Sequence, residues 1–134
     1  MSEQHRDEYS KLTEQIIGLC FEIHKELGPG FTEKIYASAL RASLRRHGVK
    51  FEYEREFDVS CANDDVGVYR ADLVVNNKVI VEVKAVTGRL PKIFEQKLIA
   101  YLKASKLPVG LLINFGNSSC QIRRLMNRFH CNQP

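Results

Sequence analysis

The chain has 134 residues, enough for one hydrophobic core and too few for two. Its 44% hydrophobic content excludes wholesale disorder, and a net charge of +4 permits contact with a polyanion without requiring it. No apolar run reaches membrane-spanning length and the first eight residues contain no apolar h-region, so a soluble cytoplasmic protein is expected. Cys20, Cys61, Cys120 and Cys131 form no Cys-x-x-Cys pair and have no histidine at zinc spacing, which reads as reduced thiols rather than a disulfide or zinc framework.

Helical spacing of Leu12, Ile16, Ile17, Cys20, Phe21, Ile23, His24 and Leu27 predicts a first helix from about Tyr9 to Leu27, with Asp7 or Ser10 as its cap. Gly28-Pro29-Gly30 ends it, and Thr32 is placed to cap a second helix running to about His47, with Ile35, Tyr36, Ala39, Leu40 and Leu44 as its apolar stripe. After Gly48 the period becomes two. Val49, Phe51, Tyr53, Arg55 and Phe57 alternate with polar residues, predicting a strand with one wet face. Asn63-Asp64-Asp65 and Gly67 predict a turn, followed by strands at Val68–Val75 and Lys78–Val86 joined at Asn76-Asn77.

Beyond Thr87–Pro91, a helix to about Ser105 carries Ile93, Phe94, Leu98, Ile99, Tyr101 and Leu102. Val109–Phe115 reads as a buried strand, and Cys120–Met126 as a last one after a turn at Gly116–Ser118; both termini are expected to fray. The order α-α-β-β-β-α-β-β implies a single α/β domain over 1–134, with a mixed sheet flanked by helices.

Within this order, Asp72, Glu82 and Lys84 stand in two consecutive apolar strands, where charge is costly unless paired or bound to a metal. Two carboxylates and an ammonium group are also what metal-dependent phosphodiester hydrolysis requires. A regular two-residue hairpin at Asn76-Asn77 pairs Asp72 with Val81 and sends the two acids to opposite faces of the sheet. A shared ion needs Asp72 opposite Glu82, so an odd-length loop at residues 76–78 or a bulge is expected. The competing explanation is a solvent-facing edge carrying ordinary ion pairs.

Asp72-x9-Glu82-x-Lys84 on strands two and three, after a helix and before another, resembles the PD-(D/E)xK nuclease superfamily. Gly30-x-x-Glu33-x-x-Tyr36 resembles the motif of its GxxExxY family. The likeness continues through Val81–Ala85, Gln96, Tyr101–Ala104 and Gly110–Phe115, covering about residues 10–127.

The resemblance implies a restriction-endonuclease-like core and a Mg²⁺- or Mn²⁺-dependent nuclease acting on nucleic acid, by superfamily habit DNA. Its metal ligands would be Glu33, Asp72, Glu82 and the Val83 carbonyl, with Lys84 assisting the attacking water and Gln96 near the site. Tyr36 and Tyr101 are expected to serve packing first. Arg89 and Lys92, on the loop after the catalytic strand, and Lys97 are the candidate nucleic-acid contacts, whereas Arg41, Arg45 and Arg46 are explained by the favourable field at a helix end. Base-reading motifs are not visible, so backbone-driven binding is expected. The alternative is a nuclease-fold module that binds nucleic acid or a protein partner with little or no hydrolysis. A chain this small is expected to depend on such a partner, or on a homodimer, for targeting.

Overall fold

A computed structural model describes residues 3–128, with side chains from Tyr9 onward; the side chains of His5 and Asp7, and the whole of His130 and Cys131, lie outside the described residues. The elements are α1 (Glu3–Leu27), α2 (Glu33–Arg46), β1 (Phe51–Cys61), β2 (Asp64–Val75), β3 (Val79–Lys84), α3 (Ile93–Ser105), β4 (Val109–Asn114) and β5 (Gln121–Met126). The strands form one sheet in the order β1-β2-β3-β4-β5, antiparallel throughout except where β3 and β4 run parallel. That parallel step needs a crossover, which α3 supplies.

α1 begins before its apolar periodicity does, because Glu3, Gln4, Arg6 and Glu8 are good helix formers that extend it. Ser10 therefore lies inside the helix, and its carbonyl accepts the Thr13 hydroxyl at 3.0 Å. Thr32 occupies the N-cap of α2 with extended backbone, but its side chain makes no capping bond.

The two sheet faces are covered differently. Leu73, Val75, Val79, Val81, Val83, Val109, Leu111 and Ile113 pack beneath α1 and α2, whereas Val74, Ile80 and Leu112 pack with Leu98 and Leu102 of α3. α3 lies so close to β4 that a Cβ on Gly110 would come within 2.9 Å of Leu98. β3 and β4 are buried on both faces, as their near-continuous apolar sequences require.

The β1–β2 ribbon departs from the sequence reading in two places. The turn is Ala62-Asn63, both with positive φ (50° and 70°), and β2 starts at Asp64 and runs through Gly67. The run 64–67, which continues the turn chemistry of Asn63, is strand exposed on both faces and so carries no alternation signal. Its register slips by one beside Val59/Ser60, leaving Val66 as the extra residue.

The second departure is at Glu54. The alternation expected along Val49–Phe57 reverses there: Phe51 packs on the α1/α2 side, but Phe57 and Val59 pack on the α3 side. Glu54 has φ 55°, a left-handed conformation that rotates the strand. β2 reverses at the facing position, since Leu73 belongs to one core cluster and Ala71 to the other. The flanking pairs Tyr53↔Leu73 and Arg55↔Ala71 place Asp72 opposite Glu54.

Candidate active site at the fork between β2 and β3

The β2–β3 turn has the odd length that a shared site demands. Asn76, Asn77 and Lys78 form the turn, Val75 pairs with Val79, and the register runs on to Leu73↔Val81. Both asparagines adopt positive φ (51° and 54°), which asparagine tolerates better than most residues. The next step of this register sets Asp72 beside Glu82. There the strands fork: the Val83 backbone N–H donates to Asp72 Oδ2 at 3.1 Å. A side chain thus occupies the gap between diverging backbones, and Asp72 borders cavities on both sides of the sheet.

On the α3 side is a cavity of about 210 Å³ lined by Tyr69, Arg70, Asp72, Glu82, Lys84, Phe94, Lys97, Tyr101 and Leu112. Glu82 is buried, and the Tyr69 hydroxyl donates to its Oε1. Burial first, then the hydrogen bond and charge of neighbouring Asp72, push the Glu82 carboxyl up to about 8; the Tyr69 hydrogen bond and Lys84 oppose this. Near neutral pH the Glu82 carboxyl therefore tends to keep its proton. Hard carboxylate oxygens this close fit a divalent cation, which can take the place of that proton.

Lys84 ends β3 with its Nζ 4.6 Å from the centre of the Phe94 ring and 3.9 Å from Glu33 Oε1. Glu33, on the first turn of α2, is half exposed and lines the cavity on the other side, together with Lys34, Ala37, Ser38, Arg41, Glu54, Asp72 and Val83. Among the described residues, no three His, Cys, Asp or Glu side chains converge on one metal-sized point. Asp72 and Glu82 are together, and Glu33 stands apart from them on the far side of Asp72.

The remaining candidates divide. Lys97 lines the acid cavity. Arg89 and Lys92 line a separate groove of about 580 Å³ with Leu90, Glu95, Gln121, Ile122 and Arg123. Gln96 is exposed and lines neither of these, nor the Glu33 cavity. Tyr101, expected to serve packing first, both packs and lines the acid cavity, its ring stacked 3.7 Å from that of Tyr69. Helical geometry explains the exchange: five residues apart, Gln96 and Tyr101 face different directions.

Two residues outside the sequence reading shape the site. Tyr69 holds Glu82, and Asn114 holds the loop that follows β3. Fully buried Asn114 accepts the N–H groups of Val86 (2.8 Å) and Gly116 (3.1 Å) and donates to Val86 O (3.0 Å) and Gln121 Oε1 (3.1 Å). Asn117 repeats this at Gly88, accepting its N–H at 2.7 Å and donating to its carbonyl at 2.8 Å. Only Asn114's place at the end of an apolar strand hinted at such a role. Tyr36 is structural: its hydroxyl donates to Gly28 O at 2.5 Å and accepts the Phe31 N–H at 3.2 Å, fastening the α1–α2 turn. His24 packs on Phe115 and meets the Asn117 carbonyl at 2.8 Å.

A five-stranded mixed sheet with helices on both faces and two acids at a strand fork defines a restriction-endonuclease-like fold. The profile of the PD-(D/E)XK nuclease superfamily matches residues 10–125, and the chain belongs to that superfamily. Its members generally use divalent metal ions. The crystal structure of SSO0001 is similar to this chain, with a TM-score of 0.53 and 20% identity. The match covers 70% of this chain and 49% of that one, so it spans about half that protein's length and speaks to the fold alone. No curated protein sequence matches significantly. Among the described residues, no helix is long and apolar enough to cross a membrane.

Proposed function

We propose that the chain is a Mg²⁺- or Mn²⁺-dependent nuclease that hydrolyses phosphodiester bonds, with DNA as its substrate and the whole of 1–134 as one GxxExxY-type, nuclease-like domain acting in the cytoplasm. The observation that carries this reading is the fork, where Asp72 and Glu82 meet in a cavity that Lys84 also lines. Asp72 and Glu82 would hold the cation, with the Val83 carbonyl as a further donor and Glu33 as a third or water-mediated ligand. A divalent ion held there supplies Lewis acidity toward a phosphate and a water of lowered pKa. Lys84 orients the attacking water and stabilises negative charge growing on the phosphate oxygens. Lys97 draws the phosphate backbone to the cavity mouth, Arg89 and Lys92 extend that track along the neighbouring groove, and Gln96 contacts the polymer from outside.

The test is incubation of purified protein with single- and double-stranded DNA and with RNA, in Mg²⁺, Mn²⁺ or EDTA. Metal-dependent cleavage that disappears in Lys84→Ala protein supports the reading. Equal background from wild type and variant under all metals and substrates overturns it.

One observation favours a second reading, a module that binds nucleic acid or a protein partner without cutting. The Lys84 ammonium is engaged by Glu33 and the Phe94 ring, so part of its charge is already committed. Salt-dependent affinity for nucleic acid without hydrolysis, in the monomer or a homodimer, is its expected signature.

A further inference from the structure

Each acid at the fork has one oxygen already engaged. Asp72 Oδ2 accepts the Val83 N–H, and Glu82 Oε1 accepts the Tyr69 hydroxyl. The Tyr69 phenol has little freedom to move away. It is buried, with its ring stacked against Tyr101 at 3.7 Å and 9° and against Phe57 at 6.0 Å and 16°. Glu82 is itself buried, on a strand paired with β2 on one side and β4 on the other, where Leu112 stands opposite it.

We propose that Tyr69 is a positioning residue that sets which cation the acid pair accepts. By engaging Glu82 Oε1 it presents Oε2 as the single oxygen offered to an ion, selecting Mg²⁺ or Mn²⁺ over Ca²⁺. Mg²⁺ takes single carboxylate oxygens in a tight octahedron and keeps several waters. Ca²⁺ is larger and gathers six to eight oxygens, commonly with a carboxylate bound through both. A backbone donor fixes Asp72 in the same one-oxygen manner, and a backbone donor cannot be mutated away. Tyr69 is therefore the element of this selection that a side-chain change can remove. The inference rests on the reading of Asp72 and Glu82 as cation ligands.

The experiment is calorimetric titration of wild type, Tyr69→Phe and Glu82→Gln with MgCl₂, MnCl₂ and CaCl₂, with folding followed by circular dichroism. Phenylalanine keeps the ring stack and removes only the hydroxyl. Wild type is expected to favour Mg²⁺ and Mn²⁺, and Tyr69→Phe to shift the Ca²⁺/Mg²⁺ affinity ratio toward Ca²⁺ by about 10-fold or more, the scale on which partners of metal ligands act. An unchanged ratio, with wild-type binding intact and lost in Glu82→Gln, overturns the role of Tyr69 alone. Absence of Mg²⁺ and Mn²⁺ binding to wild type overturns the cation site itself.

A second measurement does not depend on the variant folding. In the infrared difference spectrum of ¹³C-glutamate-labelled wild type with Mg²⁺, a wide splitting of the carboxylate stretches marks coordination through one oxygen and supports the proposal. A narrow splitting, the mark of two bound oxygens, overturns it.

Discussion

The Val83 backbone N–H donates to the Asp72 carboxylate at 3.1 Å, two residues beyond Val81, the last β3 residue paired with β2. One side chain therefore fastens a gap in the sheet and also faces the cavity it shares with Glu82. The two tasks can be separated by mutation. Asn at position 72 keeps an oxygen for Val83, and Ala does not. Asp72→Ala is expected to lose about 1–3 kcal/mol of stability, the cost of an unsatisfied amide, while Asp72→Asn loses less. Both should abolish cleavage. Urea unfolding beside a nuclease assay on the two variants checks this.

Glu82 gives the fold a pH dependence of unusual sign for a carboxylate. Its pKa is raised from 4.5 to about 8, so the folded chain holds this proton more tightly than the unfolded chain does. The resulting stabilisation is complete below 4.5 and is lost as the pH rises through about 8. The melting temperature in EDTA is expected to fall across this window, and Glu82→Gln to flatten the decline. Cation affinity should rise over the same range, with proton release on binding, measurable by calorimetry in buffers of different ionisation enthalpy.

Lys84→Ala is expected to leave the fold and cation binding largely in place and to slow hydrolysis by about 100-fold or more, the scale of groups that assist proton transfer. Single-turnover cleavage at saturating Mn²⁺ separates this from weaker binding.

Asn114 satisfies four polar partners around the loop after β3. Asn114→Leu strands the Val86 and Gly116 amides and is expected to cost about 2 kcal/mol or more. Faster hydrogen exchange at those two amides would localise the damage. Gly116→Ala should injure the same loop by crowding, since its Cβ would lie 2.4 Å from Val86 O.

Lys97 is expected to act as a phosphate contact. Lys97→Ala should weaken duplex DNA binding at every sequence tested and reduce the slope of log K against log salt by about 0.9. Fluorescence anisotropy at several salt concentrations reads this directly.

Element order and the β2–β3 register were legible because they follow from periodicity and from a parity argument. An ion shared by Asp72 and Glu82 requires an odd loop after Val75 or a bulge, and the loop Asn76–Lys78 is odd. The reversal at Glu54 was hidden because nothing in a glutamate announces a left-handed backbone. The hairpin turn at Ala62-Asn63 was displaced in the reading because exposed strand and turn use the same polar residues. Tyr69 resembled an ordinary strand aromatic, and its hydroxyl acquires meaning only when Glu82 arrives from the next strand. Gln96 and Tyr101 show the limit of motif order, since sequence proximity along α3 does not say which side chain turns inward.

The rotation at Glu54 has a mechanical corollary. The half of the β1–β2 ribbon near Phe51 leans on one helical layer, and the half near Phe57 leans on the other through Tyr69 and Tyr101. A single hairpin thus touches both layers, and the point where it changes sides lies beside Asp72. Packing on either helical layer therefore bears on the same stretch of backbone that carries Asp72.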